Sequence, residues 1–71
     1  MADFQDLTSV VMAAIPVSRS GATAQDITAV ARQEIPELTV DVVVVTLTAL
    51  HLAGRVVITG PYGNRRYVRR R

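Results

Sequence analysis

The chain has 71 residues, no cysteine and a formal net charge of +2 at pH 7. This length allows one small domain, and the lack of cysteine excludes disulfides and thiolate metal sites. No apolar run approaches the roughly 20 residues that span a bilayer. The acidic start, Met1-Ala-Asp-Phe-Gln-Asp6, is wrong for a secretory signal. We therefore expect a cytoplasmic protein that has no membrane partner and needs no cofactor.

Charge is distributed unevenly along the chain. Residues 1–41 contain six acidic and two basic residues, for a net charge of −4, whereas residues 42–71 contain six arginines and no acidic residue, for +6. A basic end of this kind favours an anionic partner. All eight basic residues are arginine, which suits bidentate contacts with phosphate or guanine. The same choice also fits the codon bias of a GC-rich genome, so it does not decide the function.

Apolar spacing predicts two helices in the first half of the chain. The first covers about residues 3–15, with Asp3 as its N-cap and Pro16 after its end. A loop of turn residues follows, and a second helix covers about residues 24–35. It begins with Thr23-Ala-Gln-Asp26, a capping box with aspartate in the last position, and it ends before Pro36.

A third helix is predicted over about residues 40–53, with Thr39 as N-cap and Gly54 as C-cap. The β-branched run at residues 42–46 favours a strand by local propensity, but the leucines and alanines that follow favour a helix. One apolar stripe of this helix comprises Val40, Val43, Val44, Leu47 and Leu50, and the opposite stripe comprises Val42, Val45, Ala49 and Leu52. A helix that is apolar nearly all round is usually covered on both sides. The second stripe is therefore a candidate partner or dimer interface.

The last part of the chain, about residues 55–69, is predicted to be a β-hairpin. Two strand-like runs, 55–59 and 65–69, flank the turn Gly60-Pro-Tyr-Gly-Asn64. The elements together predict an α+β domain with three helices and a C-terminal two-stranded hairpin. Their stripes should converge on one core, formed by Phe4, Leu7, Val11, Ile27, Val30, Val44, Leu47 and Leu50.

Two sequence segments, together with this order of helices and strands, resemble the winged helix-turn-helix DNA-binding family. They are Gly21-Ala-Thr-Ala-Gln-Asp-Ile27, at the start of the second helix, and Leu47-Thr-Ala-Leu-His-Leu-Ala-Gly-Arg-Val-Val57, where the third helix runs into the hairpin or wing. The pattern is similar to the C-terminal winged-helix module of bacterial DNA-processing proteins and to many phage and archaeal regulators. It covers nearly the whole chain, and it implies a small regulatory DNA-binding protein, in the host cytoplasm if phage-encoded.

The resemblance also implies which residues contact double-stranded DNA. The start of the second helix would present free amides to the phosphate backbone, and the wing arginines would bind phosphates. The implied contacts are Thr23, Gln25, Thr46, Arg65, Arg66, Arg69, Arg70 and Arg71. The outward side of the third helix carries few side chains that read bases, so backbone contacts to about three to five phosphates should dominate. The alternative is a protein-interaction module that docks through Val42, Val45, Ala49 and Leu52.

Residues that could support catalysis or bind metal are isolated in the sequence. Ser9, Ser18 and Ser20 lack a plausible general base, so we expect no enzyme activity. His51 has no cysteine or second histidine near it, which is more typical of a partly buried inward histidine than of a metal ligand. Tyr62 is expected to be an exposed turn residue rather than a stacking platform, and Tyr67 to pack on the helices.

Overall fold

The computed structural model describes residues 4–16, 21–61 and 63–70, with residues 4 and 5 described by their backbone only. Its elements are α1 (Phe4–Ala14), α2 (Ala24–Ala31), α3 (Val40–Leu52), β1 (Val56–Thr59) and β2 (Arg66–Arg69). Three helices followed by an antiparallel two-stranded sheet confirm the predicted α+β class, and the arrangement is consistent with a winged-helix layout.

The valine-rich segment forms a helix because both of its ends are capped. The Thr39 hydroxyl accepts a hydrogen bond from the Val42 amide at 3.3 Å, and Gly54 follows the helix with a φ of +77°. Inside α3, the hydroxyls of Thr46 and Thr48 each donate to the carbonyl four residues earlier, at 2.9 Å. These hydroxyls are satisfied within the helix, so threonine is tolerated there despite its β propensity.

The second helix is shorter than predicted. It ends at Ala31 rather than at about residue 35, and a turn follows in which the amides of Gln33 and Glu34 donate to carbonyls three residues earlier. Ile35 precedes Pro36, and a residue before proline is disfavoured in the α conformation. The Arg32 Nε donates to the Leu38 carbonyl oxygen at 2.7 Å, which holds the connector to α3 against the end of α2.

The hairpin has a fixed register in which Val56 pairs with Arg69 and Thr59 with Arg66. Its second strand has a further neighbour on its other side, because Ala22 and Tyr67 exchange two backbone hydrogen bonds of 3.1 and 2.8 Å. Gly21 makes this approach possible: its φ is +68°, and a Cβ there would lie 2.8 Å from the Tyr67 carbonyl oxygen. The bridge ties the start of α2 to β2.

The core lies where the three helices meet the hairpin. Four of the predicted core residues are buried (Val11, Ile27, Leu47 and Leu50), Leu7 is partly buried, and the side chain of Phe4 is outside the described residues. Among the described side chains, the other buried apolar residues are Ile15, Ala31, Leu38, Val43, Val56 and Tyr67. Tyr67 thus packs against the helices as predicted.

Two predicted core residues are exposed: Val30 by 48% and Val44 by 36%. In α2 the buried face carries Thr28, and in α3 it carries Thr46, so both helices are rotated relative to the predicted stripes. The Thr28 hydroxyl donates to the Ala24 carbonyl oxygen at 2.7 Å. A threonine that satisfies its hydroxyl in this way can occupy a buried position that apolar periodicity assigns to valine.

Candidate nucleic-acid interface

The strand β2 places its two arginines on opposite faces of the hairpin, because successive side chains of a strand alternate. Arg66 is exposed, whereas Arg69 is partly buried and lies on the same side as buried Tyr67. The two arginines were predicted to have one role, as phosphate contacts. Their surroundings give them different roles.

Arg69 holds the hairpin to the first helix. Its Nη2 donates to the carbonyl oxygen of Ile15 at 2.8 Å, a contact that joins residues 54 positions apart in the chain. Its Nε is buried, with no hydrogen-bond partner among the described residues. Arg69 is therefore a structural donor to the end of α1 as well as a predicted phosphate contact, and it is not one of the exposed arginines. The two-residue spacing from Tyr67 was the sequence signal that could have indicated its inward position.

Three of the predicted wing arginines are exposed: Arg65 and Arg66, next to the turn, and Arg70, just after β2. The Arg70 amide donates to the Arg55 carbonyl oxygen at 3.0 Å, which extends the hairpin pairing by one residue. Tyr62 and Arg71, which also belong to the predicted wing, lie outside the described residues. Arg65 and Arg66 thus form a basic end at the turn of the hairpin, whereas Arg70 lies at the opposite end, beside Arg55.

The start of α2 lies beside this basic end. Ala24, Gly63, Arg65 and Tyr67 line one open recess. The Thr23 hydroxyl accepts a hydrogen bond from the Asp26 amide at 3.2 Å, and the first intrahelical bond runs from the Ile27 amide to the Thr23 carbonyl. Thr23 is therefore an N-cap, whose hydroxyl oxygen accepts the Asp26 amide. Gln25, in contrast, is exposed in the first turn.

Thr46 does not belong to this surface. Its side chain is only 1% exposed, and its hydroxyl donates within the helix to the Val42 carbonyl oxygen. The prediction that Thr46 faces outward to contact DNA is wrong. The predicted outward stripe of α3 is exposed (Val42, Val45, Ala49 and Leu52), and so is Asp41. The exposed side of the helix is therefore mainly apolar, with one carboxylate at its N-terminal end.

His51 lies between α3 and the hairpin but is exposed, not partly buried as predicted. Its Nδ1 is 3.1 Å from the Val56 carbonyl oxygen, a distance at which a protonated Nδ1 donates to that carbonyl. Across residues 4–16, 21–61 and 63–70, no three or more His, Cys, Asp or Glu residues are grouped to hold a metal ion. Over the same residues, no helix is long and apolar enough to cross a membrane.

Comparisons of the chain with protein-family models, with curated proteins and with solved structures give no match.

Proposed function

We propose that this protein binds double-stranded DNA through its phosphate backbone, with the hairpin arginines as the main contacts, and that it acts as a small regulatory factor. The observation that carries the proposal is the exposure of adjacent Arg65 and Arg66 at the turn end of the hairpin, with exposed Arg70 at its open end. Arginine side chains supply most of the electrostatic affinity for DNA when they neutralise phosphates.

The start of α2 supports the same orientation. Arg65 and Ala24 line one recess, so a phosphate held by the wing would lie near the first turn of α2. The amides of Ala24 and Gln25 precede the first intrahelical bond, and such amides favour an anion. This end of the molecule thus offers both side-chain cations and backbone donors to one strand of a duplex.

The exposed side of α3 predicts binding with little sequence preference. Base edges in the major groove are read by arginine, lysine, asparagine, glutamine and acidic side chains. The exposed positions of α3 are largely valine, alanine and leucine, and Asp41 would be repelled by phosphate. Contacts to phosphate position a protein on DNA without reading its sequence.

A salt titration tests the proposal. With about three phosphates neutralised, the logarithm of the association constant should fall with the logarithm of salt concentration at a slope near −3, about −0.9 per contact. Replacing both Arg65 and Arg66 with alanine should weaken binding to unrelated duplexes alike and flatten the slope by about two. Fluorescence anisotropy on two labelled duplexes of different sequence measures both effects.

A matched pair of single variants separates position from total charge. Arg66→Ala and Arg55→Ala each remove one positive charge from an exposed arginine, but Arg66 lies at the turn end of the hairpin and Arg55 at its open end, beside Arg70. We expect Arg66→Ala to flatten the slope by about one and Arg55→Ala to change it much less. If the Arg65/Arg66 double variant keeps the wild-type slope, the hairpin is not the contact surface.

The second candidate function is a protein-interaction module. It is favoured by the exposure of Val45 (68%) and Leu52 (81%) on one side of α3, because large apolar side chains grouped on a surface mark interaction sites. In this case the protein would bind DNA weakly or not at all at physiological salt, and the Arg65/Arg66 double variant would retain its binding to the partner. The titration above therefore separates the two candidates.

A further inference from the structure

The exposed side of α3 carries an apolar stripe with a regular spacing. Val42, Val45, Ala49 and Leu52 are separated by three, four and three residues, and all four are exposed. This alternation of three and four residues is the spacing at which one helix packs along another in a coiled coil, where the line of contact between the helices forms a seam. Within α3 the same positions lie opposite buried Val43, Leu47 and Leu50, so the core of the domain does not explain the stripe.

We propose that the stripe pairs with the same stripe of a second copy of this chain, with the two α3 helices antiparallel about a two-fold axis. A two-fold contact brings one surface patch against itself, as a stripe of this kind requires. In the antiparallel register, Val42 of one copy lies opposite Leu52 of the other, and Val45 lies opposite Ala49. A large residue thereby faces a smaller one at each of these positions.

The shape of the surface fits this register. Leu52 protrudes near one end of α3, with 81% of its surface exposed. Near the other end an open recess between α1 and α3 is lined by Leu7, Val42, Val45 and Thr46, with Asp41 at its side. The antiparallel pairing directs Leu52 of each copy to the recess beside Val42 of the other. The contact is therefore made twice, once by each leucine.

Charge decides the direction of the helices. Asp41 is the residue next to the stripe at the N-terminal end of α3, and Arg55 follows the helix at its C-terminal end; both are exposed. Antiparallel pairing places Asp41 of one copy near Arg55 of the other, at both ends of the seam. Parallel pairing would place Asp41 beside Asp41 and Arg55 beside Arg55. The antiparallel order also sets the positive N-terminal end of each helix dipole beside the negative C-terminal end of its neighbour.

The seam is short, since a helix of 13 residues is only about 20 Å long at 1.5 Å per residue. An interface of this size is at the small end of specific interfaces, and we expect the dimer to dissociate in the micromolar range. Sedimentation equilibrium from low micromolar to near-millimolar protein should show a mass that rises from one chain towards two. A mass of one chain over this whole range would overturn the proposal.

Two exposed valines provide the matched test of the surface. Val45→Glu places a carboxylate in the centre of the stripe and should give a folded monomer, whereas Val30→Glu places it on the exposed side of α2 and should leave the dimer intact. Circular dichroism confirms that both variants are folded. If Val30→Glu dissociates the dimer as much as Val45→Glu, the contact is not the α3 stripe.

A charge exchange tests the direction of pairing. Asp41→Arg alone and Arg55→Asp alone should each raise the dissociation constant by about tenfold or less, because each places like charges together at both ends of the seam. The double variant, Asp41→Arg with Arg55→Asp, should restore it. In a parallel dimer the wild type and all three variants would pair like charges at both ends. Single variants that leave the dissociation constant unchanged, or a double variant that does not restore it, would therefore overturn the antiparallel arrangement.

Discussion

The two faces of α3 have nearly the same residue types and opposite environments. Val43 and Leu47 on the inward face are fully buried, whereas Val45 and Leu52 on the outward face are 68% and 81% exposed. Hydrophobicity alone therefore does not determine which side of this helix faces the core. The side is determined by its neighbours: α1, α2 and β1 all pack against the inward face.

The same contrast recurs in β2 with charged residues. Arg66 is exposed, and Arg69, three residues later, is partly buried and bonded to the end of α1. Burial changes an arginine from a candidate ligand for phosphate into a structural donor. Matched pairs of identical residues on opposite faces thus allow the effect of environment to be measured with residue type held constant.

Of the matched pairs, the two leucines of α3, Leu47 and Leu52, should differ most in how much their replacement lowers stability. Leu47→Ala removes a fully buried side chain and should lower the free energy of unfolding by about 3 kcal/mol, through lost burial and the cavity left behind. A chain of 71 residues has a total free energy of unfolding of about 5 kcal/mol, so the variant would keep little net stability. Leu52→Ala should change the stability of a single chain by about 0.5 kcal/mol or less.

Urea unfolding followed by circular dichroism measures both variants. The titrations should be repeated at several protein concentrations, because stabilisation by a dimer depends on concentration and folding of one chain does not. A large loss for Leu52→Ala that persists at the lowest concentration would mean that the outward face of α3 is covered within the chain, contrary to the structure.

Much of the fold was predictable because its signals are local. The caps Thr39 and Gly54, the proline after α1 and the glycine-rich turn gave the order and type of all five elements. The rotation of α2 and α3 was not predictable from apolar spacing, since Thr28 and Thr46 satisfy their hydroxyls inside their own helices. Apolar periodicity counts such threonines as polar and places them outside.

The candidate site was predictable only in part. The basic end of the hairpin follows directly from the sequence, and so does the exposed apolar stripe of α3. The role of Arg69 depends on contact with Ile15, 54 residues away, and the approach of Gly21 to β2 depends on the loop between α1 and α2. Contacts at such separations are set by tertiary packing, which a local sequence pattern does not contain.

The two arginines of β2, Arg66 and Arg69, should show an intermediate difference in the effect of substitution on stability. Arg69→Met keeps the aliphatic part of the side chain but removes the donor to the Ile15 carbonyl, so we expect a loss of about 1–2 kcal/mol in unfolding free energy. Removal of the buried Nε, which has no partner among the described residues, offsets part of the loss. Arg66→Met should change stability by about 0.5 kcal/mol or less.

Thermal unfolding of the two methionine variants makes this comparison at equal net charge. Arg66→Met should weaken DNA binding while leaving the midpoint of unfolding nearly unchanged, and Arg69→Met should lower the midpoint. Equal midpoints for the two variants would show that the bond from Arg69 to α1 contributes little to the fold.

The two threonines of α3, Thr46 and Thr48, should show the smallest difference in the effect of substitution on stability. This comparison also tests the buried position of Thr46. Thr46→Val replaces a buried hydroxyl with a methyl group of similar size, and the Val42 carbonyl keeps its helical partner. We therefore expect a change in the free energy of unfolding of about 0.5 kcal/mol or less, as for the exposed Thr48→Val.

Because the Thr46 side chain is 1% exposed, Thr46→Val should also leave the affinity for DNA unchanged under conditions where Arg66→Ala lowers it. A loss of affinity in Thr46→Val with unchanged stability would place Thr46 at the DNA surface and require α3 to be rotated from the orientation described above.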